Sequence, residues 1–273
     1  MGEVLTIKKK IWILLAAVLL LGVLYGTGAF HFRHCVRRAA NAVAVTALRI
    51  EYRLAGKDEP LFVPVLMYHS VNETPLGEPV LSVRPREFAA QMQAIADGGF
   101  TPITFDELAD AENFKKPVLI TFDDGYRDNF TEAYPILKKH GFRATVFMIS
   151  GDIGAPNFLD GDDILAMGDL VSFQSHTVRH CRLTGLSKDD AALEMRQSKE
   201  TIEALTGKPV IALSYPEGRF NSAVLRLAPK YYDYAVTTKC GYWHSGKDRY
   251  SISRLAVGRG MKLERFKKIL DQT

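Results

Sequence analysis

Pro117-Val118-Leu119-Ile120-Thr121-Phe122-Asp123-Asp124-Gly125 runs from an uncharged stretch straight into two carboxylates and a glycine. A short apolar run ended by turn residues reads as a strand buried on both faces. Asn129 to His140 follows as a helix stopped by Gly141, and Ala144 to Ile149 as the next strand. Strand, helix and strand in succession imply a parallel pair, because parallel neighbours need a crossover.

The same alternation extends both ways along the chain. Val63 to Tyr68 reads as a strand before this unit, and Pro85 to Ala96 as a helix with Phe88, Met92 and Ile95 on one face. Downstream, helix Asp162 to Met167 leads to strand Leu170 to Gln174. Helix Lys188 to Leu205, opened by Ser187 and closed by Gly207, leads to strand Val210 to Ser214. Ser222 to Ala228 is helical, Tyr234 to Thr238 and Ser253 to Val257 are strands, and Leu263 to Leu270 is a last helix. The pattern is that of an α/β domain with a parallel sheet, and both an open doubly wound sheet and a barrel fit it. Neither GxGxxG nor GxxxxGK[ST] occurs, which removes support for the nucleotide-binding versions of the open sheet.

Ahead of this domain, Lys8, Lys9 and Lys10 precede an uncharged run from Ile11 to Phe30, long enough to cross a bilayer as a helix. The cationic flank favours a cytoplasmic N-terminus, although Arg33, Arg37 and Arg38 beyond the run blur the asymmetry. A cleaved signal peptide is the competing reading, with a weak cleavage site near Thr27-Gly28-Ala29. The expected division is residues 1–10 as a cytoplasmic N-terminus, 11–30 as a transmembrane anchor, 31–60 as a juxtamembrane linker helical over Val36 to Leu54, and 61–273 as the α/β domain. That places the domain outside the cytoplasm, at the cell envelope. The net charge of +4 is small and its excess lies near the N-terminus, so a nucleic-acid partner is not expected. The three cysteines, Cys35, Cys181 and Cys240, form no CxxC motif. Two unpaired thiols at Cys181 and Cys240 are expected, and sequence alone does not exclude their pairing.

Polar clusters fall just after the strands: His69-Ser70, Asp123-Asp124, His176-Thr177-Val178-Arg179-His180 and Ser214-Tyr215-Pro216-Glu217-Gly218-Arg219. Barrel folds place their sites at this rim. Two histidines four apart plus one carboxylate form a catalytic metal set with an open position for water. Neighbouring aspartates at a strand end point in different directions, so one can bind metal while the other takes a proton.

On these residues the chain from 61 to 273 resembles the polysaccharide deacetylase family with the NodB homology domain, carbohydrate esterase family 4. The family's TFDDG motif stands at 121–125 and its H[ST]xxH motif at 176–180. Val65-Leu66-Met67-Tyr68-His69-Ser70 and Tyr215-Pro216-x-Gly218 are similar to the branch acting on extracellular poly-N-acetylglucosamine. The resemblance implies an incomplete (β/α)7 barrel and a hydrolase that removes N-acetyl groups from poly-N-acetylglucosamine, peptidoglycan or a related glycan. It implies Asp123 as catalytic base and Asp124, His176 and His180 as ligands of a divalent metal. Zinc is the default there, and cobalt, nickel or iron fit the same donors. It also implies a backbone N–H near Tyr215 as an oxyanion donor, and a protonated histidine that gives its proton to the leaving amine.

The chain departs from the family pattern twice. Ser214 stands where the third motif, RxPYG, carries the arginine that supports the base, so Arg254 becomes the replacement candidate and Arg219 the second. The C-terminal LxH motif, source of the acid histidine, is absent, since no histidine follows His244. His69 takes its place as candidate acid, as a histidine at this strand end does in the poly-N-acetylglucosamine branch. Two alternatives remain: a catalytically weak glycan-binding protein on the same fold, and a deacylase or deformylase of a membrane sugar lipid. Tyr242 and Trp243 are expected to pack in the core rather than stack on sugar rings.

Overall fold

The computed structural model describes residues 60–246 and 248–271, together with residues 43, 45–52 and 54 ahead of them. Residues 45–52 are helical, inside the stretch expected to be so. The expected anchor at 11–30 lies outside the described residues. Among those described, no helix is long and apolar enough to cross a membrane. Leu61–Asp271 forms the unit that carries the site.

The expected first strand is broken by Pro64, which has no N–H to give a ladder. It becomes β1 (Phe62–Val63) and β2 (Val65–Tyr68). Then come α1 (Pro85–Asp97), β3 (Thr101–Ile103) and β4 (Pro117–Phe122). A π-helical turn at Asn129–Ala133 leads into α2 (Tyr134–His140), so the helix expected over both is regular only in its second part. β5 (Ala144–Met148), α3 (Gly161–Met167), β6 (Val171–Ser175), α4 (Lys188–Thr206) and β7 (Ala212–Ser214) continue the alternation. The Ser187 hydroxyl caps α4 by accepting from the Asp190 N–H at 3.1 Å, as its type and position led us to expect. α5 (Ser222–Leu227), β8 (Tyr234–Cys240), β9 (Trp243–His244), β10 (Ile252–Ala256) and α6 (Leu263–Leu270) complete the chain.

Seven parallel strands close into a barrel. The ring order is β4, β5, β6, β7, β8, β10, β2, and the seam back to β4 pairs Val65 with Leu119 through Tyr68 with Phe122. β3 adds a strand outside the ring, pairing with the start of β4. This decides between the two architectures open to the sequence in favour of the barrel.

The lower end of the barrel, at the strand beginnings, is filled. Val65, Leu119, Ala212, Tyr234 and Ile252 pack there with Phe147 of β5. The 3-10 helical stretch Phe105–Asn113 adds Phe105, Leu108 and Ala111, and β1 pairs antiparallel with β9 to bring Val63 and Trp243 into the same cluster. Tyr242 and Trp243 are buried, as the packing reading expects. Cys181 and Cys240 are not joined in a disulfide.

Candidate active site

The site sits at the opposite end, where the strands deliver their last residues. Alternation along β4 sends Thr121 and Asp123 to one face and Phe122 to the other. Phe122 stacks on Tyr68 outside, with ring centroids 5.4 Å apart. Asp123 points inward, 2 % exposed. It meets Arg254 of β10 in a bidentate pair, Nη1 to Oδ1 at 2.7 Å and Nη2 to Oδ2 at 2.6 Å. Arg254 is itself anchored. Its Nε donates to the Thr237 carbonyl, Nη1 to Thr121 Oγ1 and Nη2 to Ser214 Oγ, and its guanidinium lies over the Phe147 ring. Ser214 Oγ also donates to Asp123 Oδ2 at 3.3 Å. Of the two arginines considered from sequence, Arg254 reaches Asp123. Arg219 lies on the surface against Glu217.

Asp124 follows with φ 73°, a left-handed conformation that swings its carboxylate away from its neighbour's direction. Gly125 continues the turn at φ 79°, where an added Cβ would stand 2.7 Å from Met148 Sδ. Asp124 Oδ1 lies 3.5 Å from His176 Nε2 and 3.8 Å from His180 Nε2. One donor atom from each of the three lies within 4.8 Å of the others. Ligands at about 2.1 Å from a tetrahedral ion stand roughly 3.4 Å apart, so this donor set fits a zinc-sized cation. The tautomer also fits. His176 Nδ1 is 2.7 Å from the Ser214 carbonyl, which only accepts, so the ring proton sits on Nδ1 and the Nε2 lone pair faces Asp124.

His69 follows the end of β2, its Nε2 3.9 Å from Asp123 Oδ2. Its Nδ1 is buried with no hydrogen-bond partner among the described residues. The backbone beside it is pinned: Asn129 Nδ2 donates to the His69 carbonyl at 2.8 Å, and Asp128 accepts from Ser70 Oγ at 2.5 Å and from the Val71 N–H at 3.1 Å. Sequence reading missed Asp128 and Asn129. The available signal was a run of polar residues, Arg127-Asp128-Asn129, at the opening of a helix that otherwise buries apolar side chains.

The environment pushes the two aspartates apart. Burial opposes charge on Asp123, but the charge and hydrogen bonds of Arg254 prevail and hold its carboxyl well below the usual carboxylate range. Burial, and then the charge on Asp123, push Asp124 up to about 7. Burial pushes His176 down to about 4, and lowers His69 against the opposing pull of Asp123. Asp123 is therefore ionised, while Asp124 faces the neutral imidazole of His176.

Tyr215 does not join this group. It is fully buried, its N–H donates to the Val236 carbonyl at 3.2 Å and its hydroxyl to the Tyr250 carbonyl at 3.1 Å. Placing Tyr215 itself at the substrate is thus corrected: its N–H is committed to β8 and its hydroxyl to the turn before β10. Beyond it, the turn Pro216–Gly218 carries Glu217 at φ 54° to the surface, where it pairs with Arg182 and Arg219.

A parallel barrel that gathers paired carboxylates and two histidines at its strand ends has the architecture and donor set of a hydrolase site. Comparison with known proteins places it further: the chain belongs to the polysaccharide deacetylase family and is a deacetylase. The polysaccharide deacetylase family model matches residues 110–235. YxkH of Bacillus subtilis, named for the same family, is 37 % identical over 216 residues, covering 77 % of this chain and 76 % of that protein. The poly-β-1,6-N-acetyl-D-glucosamine N-deacetylase of Staphylococcus epidermidis is 26 % identical, covering 78 % of this chain and 79 % of its own. Among solved structures, the Streptococcus pyogenes deacetylase PplD, in complex with acetate, superposes with a TM-score of 0.73 at 31 % identity, over 77 % of this chain and 99 % of that one.

Proposed function

We propose that this deacetylase is metal-dependent and removes N-acetyl groups from an amino-sugar polymer outside the cytoplasm, with poly-N-acetylglucosamine the favoured polymer and peptidoglycan the second. The observation that carries the reading is the meeting of Asp124, His176 and His180 at one point, with Asp123 beside them and unligated. A divalent ion held there, zinc by default, supplies a Lewis acid for the amide carbonyl and lowers the pKa of a water.

The chain's own residues do the rest. Arg254 keeps Asp123 ionised and fixes its orientation, so the carboxylate takes a proton from the attacking water. The new C–O bond forms at the acetyl carbon, and the C–N bond then breaks toward the amine. The proton that Asp123 takes from the water passes to the departing nitrogen by way of His69, which stands beside it at the end of β2, and acetate and a free amino sugar result. An N–H in the turn beyond Tyr215 serves the developing oxyanion. The likeness to a poly-β-1,6-N-acetyl-D-glucosamine deacetylase supports the polymer, and the uncharged run Ile11 to Phe30 supports a membrane anchor with the barrel outside.

The test is acetate release from a panel of poly-N-acetylglucosamine, peptidoglycan and chitin fragments, with and without chelator, for the wild type and Asp123→Asn. Chelator-sensitive release from the first polymer, lost in the variant, is the expected result. Undiminished release with chelator, or from Asp123→Asn, overturns the reading.

A further inference from the structure

The segment that carries both histidines is held in a conformation it does not favour. Thr177 has φ 68° and His180 φ 55°, in the left-handed region that side chains with a Cβ disfavour. Something outside the segment must hold it. On one side the N–H groups of Ser150 and Gly151 donate to the Thr177 and Val178 carbonyls at 3.1 and 2.9 Å. That approach is so close that a Cβ on Gly151 would lie 2.6 Å from the Val178 oxygen.

On the other side stands one side chain, Glu194 of α4, 3 % exposed. Its Oε2 accepts from the backbone N–H of both Val178 and Arg179, at 2.9 and 3.0 Å, and its Oε1 from Arg179 Nε at 2.6 Å. A carboxylate in so dry a place is stable only when its oxygens are satisfied, and among the described residues its hydrogen-bond partners belong to this segment.

We infer that Glu194 is a positioning residue for metal binding, clamping the 177–180 turn so that His180 converges with His176 on Asp124. This rests on the reading of Asp124, His176 and His180 as metal ligands. Glu194 touches neither metal nor substrate. It acts by setting the backbone from which His180 projects. The exposed Arg179 completes the shell of the carboxylate without setting the turn, since the turn is set by the two backbone donors.

The test measures affinity for zinc by chelator competition, and the visible spectrum of the cobalt(II)-loaded full chain, for wild type, Arg179→Ala, Glu194→Ala, Glu194→Gln and the double variant Glu194→Gln/Arg179→Ala. Removal of an outer-shell partner typically costs about 10- to 100-fold in metal affinity. A loss of that size is expected for Glu194→Ala with an altered cobalt spectrum, and near wild-type affinity for Arg179→Ala. Glu194→Gln sets an amide NH2 against the Arg179 side chain, so its affinity is expected to recover when Arg179 is also removed. If Glu194→Ala does not fold, the recovery in the double variant decides. Wild-type affinity and spectrum in a folded Glu194→Ala, or no recovery in the double variant, overturns the inference. A wild type that binds neither zinc nor cobalt overturns the metal reading itself, a result distinct from a variant that binds like the wild type.

Discussion

Replacing Arg254 by methionine keeps a long apolar side chain in a fully buried position and removes the guanidinium. Asp123 then loses two charge-assisted hydrogen bonds, at 2.7 and 2.6 Å, and keeps one from Ser214 Oγ at 3.3 Å. Breaking one partner out of a buried ion pair costs about 3–5 kcal/mol, because the other charge is left in a dry site. For a domain of this size that corresponds to a fall in melting temperature of roughly 6–20 °C. The sign with pH follows from the carboxylate. In the wild type its folded pKa lies below the unfolded value, so its stabilisation is present above about pH 4 and fades as pH falls through that range. In the variant, burial is opposed only by the Ser214 hydrogen bond and the neighbouring histidines and raises the folded pKa, so the penalty is full at neutral pH and shrinks toward acid. The neighbouring Asp124, which has no such arginine pair, is pushed up by burial and then by the charge on Asp123. The acid limb of the kcat/KM profile is therefore expected to move toward neutral pH. A base no longer held in place lowers kcat/KM by on the order of 100-fold. Thermal unfolding across a pH series, with acetate release on the same samples, measures both. A variant that melts with the wild type and keeps its acid limb would show that Arg254 neither stabilises nor orients the base.

Other perturbations separate the remaining roles. His69→Ala is expected to lower kcat by about 10²- to 10⁴-fold with little change in KM, and near-normal turnover would remove it as the proton donor. Asp124→Ala is expected to abolish stoichiometric metal, read by elemental analysis, and dialysis against chelator should silence the wild type until zinc or cobalt is restored. Retained metal in the variant refutes the ligand assignment. Gly218→Ala forces a Cβ to within 2.5 Å of the Thr238 backbone nitrogen at a φ of 66°, so a loss of about 1–3 kcal/mol in urea unfolding is expected. An unchanged midpoint would mean the 216–218 turn relaxes freely.

Most of the sheet was legible because its strands are buried on both faces and read as continuous apolar runs. Pro117–Phe122 and Leu263–Leu270 have the bounds that composition and turn residues assign them. The elements missed are short ones whose sequence lacks periodicity: β3 contains Pro102, and β9 is two residues long, formed because β1 needs a partner. The histidine and aspartate spacing is local, so the Asp124 cluster was visible as a motif. Arg254 reaches Asp123 across 131 positions, and only the adjacency of β10, β2 and β4 around the ring brings them together. Tyr215 was misplaced because the spacing of a strand-end motif does not say which face of the next residue meets the site. One step beyond Ser214 the chain turns outward.

The base of the barrel is stoppered by Phe105, Leu108, Ala111 and Trp243, so Asp123 and Asp124 are approached from the rim at the strand ends. On the function proposed above, a glycan lies across that rim instead of threading the barrel, and needs no chain end to present an acetamido group downward. Such a polymer covers the opening by which acetate leaves, so turnover along it requires the polymer to shift or lift between cleavages.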